Sequence, residues 1–210
     1  MKLKDIKLEY VREELNTEDL KANPYDQLHD WMNDVIQAEI TYPNAATLST
    51  VSADHIPSSR TVLIKDYHEL GITFFSDYTS AKAMDINSNK NVSLLFFWKE
   101  LDRQIRINGQ VSKIDPMKSE NYWNSRPKES QISAMASNQS SIISKEELYE
   151  HVNQLNSEFK NKTIPCPPNW GGYLVSIDSA EFWQGRPNRL HDRFKYTKHK
   201  SSWQIQRLAP

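Results

Sequence analysis

Apolar and polar positions along this 210-residue chain follow two rhythms in succession. After Asn23-Pro24, the residues Leu28, Trp31, Met32, Val35 and Ile36 recur at helical spacing and form one stripe. Asn23 as N-cap and Pro24 as first residue therefore predict a helix running to about Ile40. From residue 45 the rhythm shortens. Segments 45–52, 59–66, 72–76, 92–98 and 103–114 are short, β-branched or aromatic, and bounded by turn residues, which predicts strands. Ala53-Asp-His-Ile56 suits a hairpin between the first two. Thr79 or Ser80 caps a short helix to about Ser88, and Asp115-Pro116 opens another. That helix must end before Pro127, because the residue ahead of a proline avoids the α region. Ser144-Lys-Glu-Glu147 is a capping box, with Leu148, Val152, Leu155 and Phe159 as the apolar face of the helix it starts. A loop containing Pro165, Pro167 and Pro168 leads to final strands near 172–182 and 203–207. Many antiparallel strands with a few helices attached make a barrel-like α+β domain the expected class. It covers 23–210 and follows a polar arm, 1–22, that is mobile or docks elsewhere.

Composition narrows the function classes. Hydrophobic residues at 38% and charged residues at 25% describe a soluble globular chain. No run approaches the roughly 18 apolar residues of a membrane span, and no secretory h-region is visible. Cys166 is the only cysteine, so no disulfide forms within one chain and a cytoplasmic location is the default expectation. The only glycines are Gly71, Gly109, Gly171, Gly172 and Gly185, in neither a GxGxxG nor a GxxxxGK[ST] pattern. Phosphate would have to be held by side chains and helix N-termini, and Rossmann and P-loop enzymes are excluded. Charge is uneven: residues 1–50 carry five Lys/Arg against ten Asp/Glu, whereas from Arg186 to Arg207 there are seven Lys/Arg and a single acid, Asp192. In a chain of net charge −1, such density predicts a bound anion, a small one in preference to nucleic acid.

Several constellations could meet that anion. Arg60-Thr-Val-Leu-Ile-Lys65 is a strand with a cation at each end. Their odd spacing points Arg60 and Lys65 to opposite faces in a regular strand, towards two anions, towards one only through a bulge, or merely into solvent. In Thr79-Ser-Ala-Lys82 a lysine occupies the first turn of a helix, where the macrodipole disfavours it unless phosphate is bound there. Tyr122 and Arg126, four apart, share a helix face, and Ser130 follows Pro127. A phenol, a guanidinium and a hydroxyl together make a phosphate clamp. Asn138-Gln-Ser-Ser141 reads as a polar loop. His191-Asp192 beside many serines is no hydrolase triad, because adjacent strand residues point apart and no serine sits in a nucleophile elbow. The six histidines show no metal-ligand spacing, so no metal is expected.

Taken together these pieces resemble the pyridoxine/pyridoxamine 5′-phosphate oxidases, flavin enzymes of the split-barrel fold. The resemblance rests on Arg60-Thr-Val-Leu-Ile-Lys65, Arg103-Gln104, Ser125-Arg-Pro-Lys-Glu-Ser-Gln131, Asn138-Gln-Ser-Ser141, Trp170-Gly-Gly172, Glu181-Phe-Trp-Gln-Gly185, Arg189-Leu-His-Asp-Arg193 and Arg207-Leu-Ala-Pro210. They occur in family order across 23–210. The resemblance implies FMN at a homodimer interface, with Arg60 and Lys82 on its phosphate. Arg60, Thr61, Val62, Leu63, Ile64, Lys65, Phe75, Ser76, Gln104, Gln139, Ser140, Trp183 and Arg193 would line the rest of the cofactor. Lys65, Tyr122, Arg126 and Ser130 would hold the substrate phosphate. Arg189 and His191 would cover the pyridine ring as the catalytic pair, and Lys7 and Tyr10 would close as a lid. The implied reaction oxidises pyridoxine 5′-phosphate or pyridoxamine 5′-phosphate to pyridoxal 5′-phosphate, with O2 reduced to H2O2. Ala81 stands where the family commonly has a second phosphate-binding arginine, and Phe75-Ser76 where it has Tyr-Thr. Two other functions stay open: a split-barrel flavin reductase with another substrate, and a non-catalytic flavin or pyridoxal-phosphate carrier.

Overall fold

A computed structural model describes Tyr10 and residues 14–210 of the chain. Helix α1 (Pro24–Gln37) begins as its sequence dictates: the Asn23 side chain accepts from the backbone N–H groups of Tyr25 and Asp26, and Pro24 is the first helical residue. It ends a turn earlier than its apolar stripe suggests, with Glu39 at φ 51°. Leu28, Trp31, Met32 and Val35 are buried, and Ile36 is left exposed.

Strands β1 (Ala45–Val51), β2 (Pro57–His68), β3 (Gly71–Asp77), β4 (Asn91–Trp98), β5 (Arg103–Lys113) and β6 (Trp170–Gln184) run antiparallel in the order β3-β2-β1-β4-β5-β6. A further pairing of β3 with β6 closes these six strands into a barrel. β6 serves twice. Residues 170–175 seal against β3, while 179–184 pair with β7 (Asp192–His199), which pairs in turn with β8 (Ser202–Arg207). Alternate residues fill the barrel, among them Leu48, Ile64, Phe74, Leu94, Phe96, Ile107, Val175 and Phe182, each at most 4% exposed. Helix α2 (Ala81–Ser88) adds Ala83 and Ile86 to this core.

A second core lies outside the barrel. Helices α3 (Pro116–Ser125), α4 (Lys128–Ala136) and α5 (Lys145–Glu158) surround Trp123, Ile132, Phe159, Ile164 and Trp170. The Trp123 indole N–H donates to the Ile164 carbonyl at 2.9 Å, and Lys128 closes the end of α5 by donating to the Phe159 and Lys160 carbonyls. Gly172 keeps the join between the cores close: a Cβ there would meet Phe75 Cε1 at 3.0 Å and Ile114 Cδ1 at 2.3 Å.

Two elements lack a sequence signal. Helix α4 buries only Gln131, Ile132 and Ala136, so its stripe is too thin to stand out, and Pro127 reads more readily as an end than as a start. Strand β7 alternates buried Asp192, Phe194 and Tyr196 with Arg193, Lys195 and Thr197, an alternation hidden under its charge. Because Trp123 is fully buried and ties α3 to the 164 loop, Trp123→Ala is expected to cost about 3–5 kcal/mol. A lowered urea midpoint measures that loss.

Candidate active site

A cleft of about 730 Å³ opens between the barrel wall and α3–α4. Strand β2 contributes Thr61, Val62, Leu63 and Lys65, and β3 contributes Phe75 and Ser76. Lys82 of α2, Tyr122, Arg126, Ser130, Gln139 and Trp170 also line it, and so do two acids, Asp77 and Glu129. Along β2, Arg60, Val62 and Ile64 turn to the less exposed side and Thr61, Leu63 and Lys65 to the other. Arg60 and Lys65 therefore differ in exposure as their odd spacing suggests, although Lys65 itself lies at a register shift between Ile64 and Asp66.

One cluster in the cleft is centred on Lys82. Its Nζ donates to Gln139 Oε1 at 2.9 Å, Ser76 Oγ at 3.1 Å and Ser80 Oγ at 3.2 Å. Among the described residues no carboxylate lies within ion-pair distance of it. Burial, reinforced by the neighbouring Arg60 charge and opposed by Asp77, lowers its pKa to about 8. Ser140, in the left-handed region at φ 76°, accepts the Ala81 N–H at 3.2 Å, so the polar loop folds back onto the start of α2. Arg60 itself lies just outside the cleft lining, at the barrel end, bonded to Thr50.

Lys65, Tyr122, Arg126 and Ser130, the four residues of the expected clamp, line the same cleft, by a route other than the expected one. Helix α3 stops at Ser125, and Arg126 has extended backbone, so no shared helix face aligns it with Tyr122. Stacking does so instead. Phe75, Tyr122 and Trp170 lie nearly parallel, with Phe75 4.0 Å from Tyr122 and 5.3 Å from Trp170 between ring centres. The Arg126 guanidinium sits over Trp170 at 4.9 Å and Trp123 at 5.2 Å. Its Nη1 is buried with no hydrogen-bond partner, and desolvation lowers the group's pKa. A buried guanidinium donor without an acceptor is costly, and an anion in the cleft supplies the acceptor. Ser130 comes from the first turn of α4 and Lys65 from β2.

The remaining candidates gather elsewhere. Gln104 of β5, Trp183 of β6 and Arg193 of β7 are register partners in one row across the sheet. The His191 ring lies 4.6 Å from Trp183, and Tyr10 stands edge-on to both, at 5.5 Å from Trp183 and 5.3 Å from His191. Lys7 lies outside the described residues. His191 Nδ1 accepts the Arg186 N–H at 3.1 Å, which leaves Nε2 as the hydrogen-bearing nitrogen of the neutral ring. Burial, with Arg189 and Arg193 adding to it against Asp192, lowers the His191 pKa and favours that neutral form. Arg189 is exposed and, with Asn188, in the left-handed region.

In the basic terminal segment Arg186, Arg193 and Arg207 meet carboxylates, whereas Arg189, Lys195, Lys198 and Lys200 have no ion pair among the described residues. Buried Glu181 pairs with Arg106 and Arg193, and buried Asp192 with Arg186 and Arg207. Acids that look outnumbered in the sequence are thus placed where each meets two arginines, which reduces the segment's excess of positive charge without removing it.

None of Gln104, Trp183, Arg189, His191 and Arg193 lines the cleft. Trp170, in the cleft, and Trp183, in the second cluster, occupy the two ends of β6. Thirteen residues of strand separate them, roughly 40 Å of contour.

The molecule is thus a split-barrel protein with two cation centres in one cleft and an aromatic–histidine cluster at the far end of a shared strand. The family model described as pyridoxamine 5′-phosphate oxidase matches residues 32–152, and that of the pyridoxine 5′-phosphate oxidase C-terminal dimerisation region matches 170–210. The chain belongs to the pyridoxine/pyridoxamine 5′-phosphate oxidase family. It is 46% identical to the oxidase of that name from Crocosphaera subtropica and 43% identical to the one from Aliarcobacter butzleri, each match covering all of both chains. Among solved structures it resembles PhzG from Burkholderia lata 383 in complex with tetrahydrophenazine-1-carboxylic acid. That TM-score is 0.87 at 27% identity, covering 92% of this chain and 95% of the other. A pyridoxamine 5′-phosphate oxidase-related FMN-binding protein from Nostoc punctiforme shares the fold at TM-score 0.73 and 15% identity, covering 90% of this chain and 98% of the other.

Gly185 seats Tyr10, since a Cβ there would lie 2.7 Å from Tyr10 Cδ1 and 2.9 Å from Asp102 Cβ. Gly185→Ala is expected to unseat Tyr10 and to reproduce the near-ultraviolet circular dichroism change of Tyr10→Ala. A native spectrum for Gly185→Ala would show that Tyr10 does not depend on that close approach.

Proposed function

We propose that the protein oxidises pyridoxine 5′-phosphate and pyridoxamine 5′-phosphate to pyridoxal 5′-phosphate with FMN as cofactor and O2 as final acceptor. The observation that carries this reading is the pair of cation centres in one cleft, Lys82 among neutral oxygens and Arg126 with its buried Nη1 lacking a hydrogen-bond partner. Two phosphates, one on the cofactor and one on the substrate, suit two such centres. Lys82, Arg60, Ser76, Gln139 and Ser140 fit an FMN phosphate, because they combine positive charge, hydroxyl and amide donors and the start of a helix. Bound FMN supplies the hydride acceptor that no protein side chain offers, and its reoxidation by O2 yields H2O2.

The chain's own groups do the rest. Arg126, Tyr122, Ser130 and Lys65 hold the substrate by its phosphate and so fix the pyridine ring relative to the barrel wall, which is the entropic part of catalysis. A ring laid in the cleft also needs Arg189 and His191, about the length of β6 away in the same protomer. The reading therefore includes a homodimer in which the partner subunit's Trp183, Arg189, His191 and Arg193 complete the site. Neutral His191, with its hydrogen on Nε2, donates to a substrate oxygen or nitrogen, and Arg189 adds positive charge beside it. Tyr10 packs on His191 and excludes water from that side.

The deciding assay follows aldehyde and H2O2 from pyridoxine 5′-phosphate beside unphosphorylated pyridoxine, with FMN in excess. Turnover of the phosphorylated substrate alone is expected. No turnover rejects the oxidase, and equal rates on both reject the clamp. Arg126→Ala should raise KM on the order of a hundredfold while leaving FMN affinity unchanged.

Lys82 sets the pH response of cofactor binding. It is protonated below about pH 8 and loses its charge above, so the affinity of the flavin-free protein for FMN should hold below that pH. Above it, affinity should weaken by about tenfold per unit. Fluorescence titration of FMN across pH checks this, and Lys82→Ala should remove the break.

A further inference from the structure

The barrel end beside Lys82 contains an acid that the reaction leaves without a role. Asp85 lies one helical turn after Lys82 on α2, so the two share a face. Its Oδ2 accepts the Thr50 hydroxyl at 2.6 Å and lies 3.8 Å from Arg60 Nη2. Thr50 is fully buried on β1, and the same hydroxyl oxygen accepts from Arg60 Nη1 at 2.6 Å. Arg60 Nη1 also donates to the Leu48 and Ser58 carbonyls at 3.3 and 3.2 Å. Every hydrogen bond that Arg60 makes among the described residues thus uses Nη1, which leaves Nε and Nη2 without one and Nη2 beside Asp85.

The other nearby acid differs. Asp77 is saturated by the Thr79 N–H and hydroxyl at 2.5 and 2.6 Å and by Asn169 Nδ2 at 2.9 Å, and it organises the turn into α2. Asp85 has one hydrogen-bond donor and one cation, and an anion binding Arg60 would bind against its charge.

We propose that Asp85 is a positioning residue and a built-in counter-anion of the phosphate site. Through Thr50 it fixes the Arg60 side chain, and its charge holds affinity for the flavin phosphate below what Arg60 and Lys82 alone would give. The inference rests on the reading of this site as the FMN phosphate site. It makes cofactor affinity an adjustable property: the acid pre-orders the arginine before the cofactor arrives and opposes the phosphate once it is there.

The test is fluorescence titration of the flavin-free full-length protein with FMN and with riboflavin, which lacks the phosphate, at low and high salt. Asp85→Asn keeps an acceptor for Thr50 and removes the charge. It should tighten FMN by about tenfold at low salt, less at high salt, and leave riboflavin unchanged. Thr50→Val removes the relay, and should weaken FMN while leaving riboflavin unchanged. Asp85→Ser replaces the amide variant if that one does not fold, with the same expectation. FMN affinity unmoved or lowered by loss of the Asp85 charge, equal shifts for FMN and riboflavin, or an indifferent Thr50→Val each overturn the proposal. Wild-type protein that binds neither flavin removes the cofactor reading, and this inference with it. Wild-type binding of FMN with unmoved variants removes the role of Asp85 alone.

Discussion

The double duty of β6 is the constraint on which the rest of the molecule depends. Its first residues must close the barrel against β3, because an open edge in a sheet this size would leave a row of backbone donors and acceptors unpaired. Its last residues must extend past the barrel to carry β7 and β8. A strand long enough for both cannot keep its two ends together. Trp170 therefore joins the stack that supports the phosphate clamp, and Trp183 joins the histidine cluster far from it. Barrel closure by itself divides the candidate residues into two groups, one in the cleft and one beside the strands matched by the C-terminal dimerisation region.

Electrostatics separates the same two groups by different means. In the terminal segment part of the positive charge is balanced internally, with Glu181 and Asp192 buried and each placed between two arginines. In the cleft it is not. Lys82 is surrounded by neutral oxygens, and Arg126 lies against indole faces with one donor unsatisfied. Buried cations without counter-ions lose solvation that nothing in the protomer returns, and such sites are commonly functional. Asp85 is an intermediate case, close enough to Arg60 to order it and without a direct hydrogen bond to neutralise it.

The cluster around Arg126 shows how residues expected together can be brought together by a different geometry. Tyr122 and Arg126 are four apart, which suggests one helix face, yet α3 ends between them because Pro127 keeps Arg126 extended. Aromatic stacking of Phe75 with Tyr122, and the seating of Arg126 on Trp123 and Trp170, bring the groups together across β3, α3 and β6. No spacing rule within one segment encodes contacts between three.

Much was determined locally. The caps at Asn23 and Ser144, the strand rhythm from Ala45 to Lys113, and the differing exposure of Arg60 and Lys65 follow from near-neighbour sterics and hydrogen bonding, which the chain carries in its order of residues. The ordered motifs identified the family for the same reason, since each is a short segment with its own chemistry. Tertiary structure alone decided which acids neutralise which arginines, that α4 forms on a thin apolar stripe, and that Tyr10 nests against Gly185. It also decided that Trp170 and Trp183 lie at opposite ends of one strand. Those outcomes depend on contacts between residues on different elements, whose energies arise only once the barrel has closed.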